Sequence, residues 1–215
     1  MDYLIKALTP ELGDTFIEYI AKVDFDYAPH WATCYCRYYY SDCPQKEWME
    51  TPGDKNREEA LQKIKDGSMR GYLAFDGDKC VGWCSANDAR SFVRLEKDIE
   101  HLTKDKKVGC VICFIIHPEY RGKGIARQLL RQAVKDFKSQ GFQAVLALPF
   151  ELKETPQKQY RGTLNMYREQ GFQEIEKHDS TSIMWLEIPE IIDTLQQNLN
   201  EADDIMPIKE RDGKL

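Results

Sequence analysis

Residues 108–150 read VGCVICFIIHPEYRGKGIARQLLRQAVKDFKSQGFQAVLALPF, and this stretch constrains the fold more than any other. It opens on a nearly unbroken, β-branched apolar run that stops at His117-Pro118. An apolar stripe at helical spacing follows, through Ile125, Leu129, Leu130, Ala133, Val134 and Phe137. A second apolar run, 142–150, closes it. A strand that is apolar on both faces needs covering on both sides, which places it in the centre of a sheet. Strand, helix and strand in this order make a crossover, so the two strands run parallel.

Between the first strand and the helix stands Arg121-Gly122-Lys123-Gly124. The first N–H groups of a helix have no intrahelical acceptor, and the helix dipole adds partial positive charge there. Gly122, Gly124 and Ala126 carry little or no side chain, so an anion can reach the main chain. Arg121 and Lys123 supply charge. The turn is therefore an anion site suited to a pyrophosphate. It is not a P-loop, which needs four residues between its first Gly and a Gly-Lys pair followed by Ser or Thr. A dinucleotide fingerprint would want Gly where Arg127 stands and an acidic residue about 20 positions on. None occurs between Lys138 and Phe150.

The rest of the chain surrounds this unit. YLIKAL reads as a short strand, and Thr9-Pro10 as the N-cap and first turn of a helix over 10–22. Residues 24–56 are rich in aromatics and cysteines and have no clear period. A helix over 57–66 closes at Gly67. GYLAFD and KCVGWCSA, joined by Gly77-Asp78, read as a hairpin. The polar stretch 88–107 reads as a connection. Residues 161–170 look helical, and QEIEKH with SIMWLEI form an antiparallel pair. FKSQGF and YREQGF share one design, an aromatic four residues before Gly-Phe, which predicts the same Schellman stop on two helices.

Arg121-x-x-Gly124-x-Ala126, after a strand and opening a helix, resembles the acyl-CoA pyrophosphate motif of the GCN5-related N-acetyltransferase superfamily. LNMYREQGF resembles that family's second motif, a helix bearing a tyrosine and ending in Gly-Phe. The resemblance implies a mixed α/β acyl-CoA N-acyltransferase fold. Its central sheet is mostly antiparallel, with one parallel strand–helix–strand unit and flanking helices. It implies acetyl-CoA as donor, with pyrophosphate on Arg121, Gly122, Lys123, Gly124, Ile125 and Ala126. The pantetheine arm would lie along Phe114, Ile115 and Ile116, and Asn165 would touch its sulfur end. A primary amine attacks the thioester directly in a ternary complex, with Tyr167 as the acid for the leaving thiolate. Glu151 is the candidate base, with Glu154 and Asp88 as alternatives; His117 reads as a solvated connector. The rival from another class is a non-catalytic acyl-CoA sensor or interaction module on the same fold.

The cysteines number seven, an odd count that favours reduced thiols and a cytoplasmic setting. Cys110 and Cys113 lie three apart on a strand, so alternation predicts opposite faces. Cys80 and Cys84 are predicted to share a face. Cys34, Cys36 and Cys43 lack a matching downstream pair, so no metal is expected. Trp31, Tyr35, Tyr38, Tyr39 and Tyr40 read equally as an aromatic wall for an amine acceptor and as core packing. With 30 basic and 36 acidic residues the net charge is −6, which argues against nucleic acid as partner. The expected partner is a small-molecule or peptide amine, with no membrane span and a monomer or homodimer. Residues 1–190 are read as one domain, and 191–215 as an amphipathic segment with a mobile tail.

Overall fold

The computed structural model describes residues 2–23, 25, 31–150 and 160–189. The segment after 190 lies outside them. Strand β1 (Leu4–Ala7) leads through a 3-10 turn at Pro10–Leu12 into helix α1 (Gly13–Lys22). Helices α2 (Gln45–Glu50) and α3 (Gly53–Lys65) precede the hairpin of β2 (Gly71–Asp76) and β3 (Lys79–Asp88). Then come α4 (Glu96–Thr103), β4 (Val108–Ile116), α5 (Ile125–Ser139), β5 (Ala144–Ala147) and α6 (Leu164–Arg168). Strands β6 (Gln173–His178) and β7 (Thr181–Glu187) complete the described chain.

The described strands form one seven-stranded sheet, ordered β1-β2-β3-β4-β5-β7-β6. Only β4 and β5 pair in parallel, and the other neighbours are antiparallel. The fold is the mixed, mostly antiparallel sheet with one parallel crossover that the sequence implies. One face packs on α1, α3 and α4, through Phe16, Ile20, Ile64 and Ile99. The other packs on α5 and α6, through Leu129, Leu130, Phe137 and Tyr167. Burying Ile125, Leu129 and Leu130 contributes about 1.5–3 kcal/mol each. That offsets the roughly 1–2 kcal/mol of backbone entropy lost per ordered residue in the turn before α5.

Both predicted Schellman stops are present. Phe142 N–H donates to the Phe137 carbonyl and Gly141 N–H to that of Lys138, with Gly141 at φ 72. Phe172 and Gly171 repeat this toward Tyr167 and Arg168, with Gly171 at φ 86. Each aromatic pair packs edge-on, 4.8 Å between Phe137 and Phe142 and 5.3 Å between Tyr167 and Phe172.

Several expectations need correction. The first long helix starts at Gly13, because Pro10–Leu12 takes the tighter 3-10 path and Thr9 makes no capping bond. The stretch 88–107 is not a bare connection, since Ile99 buries α4 against the sheet. Both face assignments for the cysteine pairs fail for one reason. In β4 the pairing jumps from Ser85–Cys113 to Ala86–Val111, so Ile112 is an extra, bulged residue. Cys110, Ile112 and Cys113 consequently all belong to the layer containing α1. In β3 the jump from Ala74–Gly82 to Phe75–Cys80 makes Val81 the bulge. Cys80 and Cys84 therefore face opposite layers.

Candidate active site

The parallel pairing of β4 with β5 covers only Val108–Val111 against Ala144–Ala147. Beyond the bulge β4 continues to Ile116 while β5 has ended, which leaves a notch between them. The backbone parity of β4 in the notch follows from one bond. His117 N–H donates to the Val81 carbonyl at 3.0 Å, so alternate residues Ile115 and His117 face β3. Phe114 and Ile116 then direct their backbone groups into the notch. A strap, Tyr160–Thr163, lies there, and its Tyr160 carbonyl accepts the Phe114 N–H at 2.6 Å.

At the mouth of the notch the glycine turn enters α5. Gly122 and Gly124 have φ of 74° and 81°, and a Cβ on either would meet nothing within 4 Å. Glycine stands there for its left-handed conformation, and the surface over the turn is open. The first helical bond runs from Gln128 N–H to the Gly124 carbonyl, so the amides of Ile125, Ala126 and Arg127 have no intrahelical acceptor. Arg121 turns back to donate from Nε to the Ile116 carbonyl at 3.3 Å. Arg127 is paired with Glu169 at 2.6 Å. Lys123 Nζ lies 4.7 Å from the Tyr120 ring centroid.

The notch opens into a cleft of about 580 Å³. Of the residues expected at the donor, Phe114, Ile115, Ile116, Arg121 and Ala126 line it. Gly122, Lys123 and Gly124 form the turn beside it, and the Ile125 side chain is buried. Asn165 is exposed on α6; the α6 side chain that lines the cleft is Met166. Thr163 starts that helix, its Oγ1 accepting the Met166 N–H at 3.2 Å.

The opposite wall is aromatic. Trp31, Tyr38, Tyr39 and Trp48 line the cleft, whereas Tyr40 packs on Phe92 at 4.9 Å and Tyr35 joins the core. The aromatic segment thus divides between the two readings. Tyr39 and Tyr160 hydroxyls sit 3.0 Å apart. The half-buried Arg161 donates to the Tyr39 oxygen from Nε at 3.0 Å and Nη2 at 2.7 Å, and from Nη1 to the Leu148 carbonyl at 3.2 Å. Burial pushes the Tyr39 pKa well above its ordinary value, although Arg161 pulls the other way, so the phenol stays protonated at neutral pH. Tyr160 and Arg161 escaped the sequence reading. A tyrosine and an arginine in a polar loop carry no periodic signal.

Tyr167 is fully buried, and its hydroxyl donates to the Arg161 carbonyl at 2.7 Å. Gly162, which lines the cleft, lies directly against it. A Cβ at Gly162 would stand 3.0 Å from the Tyr167 ring and 3.2 Å from its hydroxyl. Glu151 and Glu154 fall outside the described residues. Asp88 lies at the far end of β3, paired with Gly109, and accepts the Arg90 N–H at 3.0 Å. The His117 ring is mostly covered and packs edge-on to Tyr120 at 5.6 Å, rather than standing in solvent.

Cys34, Cys36 and Cys113 also reach the cleft. A hydrogen bond with Cys113 and then burial push the Cys36 thiol well above its ordinary pKa, and burial takes Cys34 to about 12. Such thiols are protonated at neutral pH. Among the described residues, no group of three or more His, Cys, Asp or Glu side chains is placed to hold a metal ion. No described helix is long and apolar enough to cross a membrane.

A splayed parallel pair, a glycine turn opening a helix at its mouth, and a cleft behind it define an acyl-CoA acetyltransferase scaffold. The chain belongs to the acetyltransferase (GNAT) family, which matches residues 32–172, more than half of its length. Solved structures share the fold. One is the polyamine N-acetyltransferase of Drosophila melanogaster, which forms N-acetylagmatine. It is 11% identical with a TM-score of 0.53, and the alignment covers 86% of this chain and 100% of that one. A PaiA N-acetyltransferase from Thermoplasma acidophilum, solved with coenzyme A, is 17% identical with a TM-score of 0.51, covering 87% and 99%. A GNAT acetyltransferase from Streptococcus pneumoniae is 13% identical with a TM-score of 0.51, covering 87% and 100%. No curated protein matches the sequence.

Proposed function

We propose that the protein transfers an acetyl group from acetyl-CoA to a primary amine by direct attack within a ternary complex. The observation that carries this is the notch. β4 turns the backbone of Phe114 and Ile116 away from β3, and the α5 N-terminus with its left-handed glycines stands at the notch mouth. In this reading the pyrophosphate sits on the turn Arg121–Ala126, and the pantetheine arm runs along Phe114, Ile115 and Ile116 toward the cleft. The Ile116 amide, aimed into the notch, is placed to polarise a thioester carbonyl as charge develops on its oxygen.

The amine must lose a proton before it attacks. Glu151 is the proposed base. It follows Phe150 in sequence, and the Phe150 ring lies 5.8 Å from that of Tyr160 on the cleft wall. The departing thiolate must gain a proton, and Tyr167 is the proposed donor. For this the strap at Gly162 would have to shift and uncover the hydroxyl, which in the structure is buried and donates to the Arg161 carbonyl. Tyr160, whose side chain already lines the cleft, is the second candidate. Residues 1–190 act as the catalytic domain.

Thermal melting with acetyl-CoA, CoA and ATP tests the donor half. At about 100 times the dissociation constant, linkage gives roughly 2.7 kcal/mol of stabilisation. In a domain of this size that is on the order of 5–10 °C. The expected result is a shift with both CoA species but not with ATP, reduced in Arg121→Ala. No shift with either CoA species would remove the donor assignment.

A further inference from the structure

We infer that the strap Tyr160–Thr163 is a gate held shut in this structure, and that the acyl donor opens it and uncovers the Tyr167 hydroxyl by the same movement. The inference rests on the donor reading of the notch and concerns how the donor enters it.

The donor arm needs the edge of β4 that β5 leaves unpaired. The backbone groups turned into the notch there are those of Phe114 and Ile116, and an arm lying along them takes its hydrogen bonds from them. The Phe114 N–H already gives its one proton to the Tyr160 carbonyl, at 2.6 Å. A backbone N–H is a single donor, and at this length it is fully engaged. The Tyr160 oxygen also fills the place, one hydrogen bond from Phe114, where an acceptor atom of the arm would stand. The other end of the edge differs. Arg121 Nε reaches the Ile116 carbonyl at 3.3 Å, but a carbonyl has two lone pairs, so Arg121 and the arm can share it. The conflict is with the strap.

The strap is clipped to the aromatic wall by its own side chain. Arg161 donates to the Tyr39 hydroxyl from Nε at 3.0 Å and Nη2 at 2.7 Å, and to the Leu148 carbonyl at 3.2 Å. The Tyr160 ring packs edge-on to Trp31 at 4.8 Å. At its other end the strap becomes α6, where Thr163 accepts the Met166 N–H through Oγ1 and the Tyr167 N–H through its carbonyl, both at 3.2 Å. Between clip and helix lies Gly162 with φ 81°, where the backbone turns at least steric cost. A hinge there lets the strap swing while α6 stays in place. A Cβ at Gly162 would meet Met166 and Tyr167, so a side chain obstructs the swing.

The coupling to Tyr167 follows from covalent geometry. Its hydroxyl donates to the carbonyl of Arg161, the residue after Tyr160, at 2.7 Å. The peptide linking the two residues is planar and their Cα atoms stand about 3.8 Å apart, so withdrawing Tyr160 from the notch draws Arg161 with it. The phenol then loses its acceptor as the donor arrives. The donor acts by its greater affinity for the open strap.

The test is NMR on protein isotope-labelled at phenylalanine nitrogen and tyrosine carbonyl carbon, with CoA and acetyl-CoA as probes, beside CoA titrations of wild type and Tyr39→Phe. The scalar coupling across the Phe114–Tyr160 hydrogen bond should be present in the free protein and lost at saturating acetyl-CoA. Tyr39→Phe takes the acceptor from the Arg161 clip. It should bind CoA about threefold or more tightly than wild type although it is the less stable protein, because apparent affinity rises with the open fraction. If that variant does not fold, Arg161→Lys serves. A coupling absent from the free protein or kept in the saturated complex, or CoA bound no more tightly by the loosened variant, overturns the inference and spares the donor reading. No CoA binding by wild type overturns both.

Discussion

The Phe114 amide and the Tyr160 carbonyl meet at 2.6 Å, and this one bond lays the Tyr160–Thr163 strap into the notch that β5 leaves open. The strap carries Tyr160 and Gly162 to the cleft and covers Tyr167. Its position therefore governs both candidate acids.

The two phenols can be separated by kinetics. Tyr167→Phe should lower kcat about 10²–10⁴-fold, the usual weight of a general acid, with little change in KM for the donor. Tyr160→Phe should lower kcat less than tenfold. The reverse ranking transfers the role to Tyr160. Tyr167→Phe also removes a buried hydrogen bond to the Arg161 carbonyl, at a cost of about 1 kcal/mol in urea unfolding.

A side chain at Gly162 would be strained. At φ 81°, a Cβ would lie 2.5 Å from Met166 Cε and 3.0 Å from the Tyr167 ring. Gly162→Ala should cost about 1–3 kcal/mol, which lowers the melting temperature by roughly 2–10 °C. It should also raise KM for acetyl-CoA by displacing the strap. An unchanged melting temperature would show that the strap yields freely.

Tyr39→Phe removes the oxygen that accepts two Arg161 donors. Leaving a half-buried guanidinium short of an acceptor costs about 1–2 kcal/mol, and denaturant midpoints measure it. Arg161→Met on the Tyr39→Phe background should recover part of the loss, because both partners are then apolar. A double variant less stable than the single one would refute this account.

Stability at low pH should depend on Glu176. Its carboxylate bridges two imidazoles, His101 Nε2 at 2.7 Å and His178 Nε2 at 3.0 Å, and these bonds, His101 first, hold its pKa below the ordinary value. A carboxyl depressed in the folded state stabilises above its unfolded pKa of about 4.3, and that contribution disappears as pH falls through the folded value. Wild type should therefore exceed Glu176→Gln in stability at pH 6, and the gap should narrow as pH falls below about 4.3 and close below the lower folded value. A gap that does not narrow at all on acidification would show that the carboxylate contributes nothing through its charge.

The crossover, the anion turn and the twin Schellman stops were legible in the sequence because each is local. A run of apolar residues, two glycines before a helical stripe, or an aromatic four residues before Gly-Phe needs no distant contact to be read. Side-chain faces were not legible wherever a bulge intervened. Ile112 and Val81 each insert one residue, and no residue type marks either position. The aromatic segment was half-legible for a similar reason. Tyr35 and Cys36 both take positive φ, at 44° and 53°, a local twist without a glycine to announce it. Tyr160 and Arg161 meet Tyr39 across more than a hundred residues, a pairing that only the folded chain reveals.

Among the described residues, four register pairs, Val108–Val111 with Ala144–Ala147, make up the strand pairing between the two blades of the sheet, β1–β4 and β5–β7–β6. The chain passes from one blade to the other by way of the glycine turn and α5. Severed within that turn, the molecule would become two fragments, each retaining its own hydrogen-bonded strands. Their reunion is then a complementation assay: fragment affinity would report the short seam together with the packing of α5 on β2 and β3, and a donor substrate threaded between the blades would act as the glue.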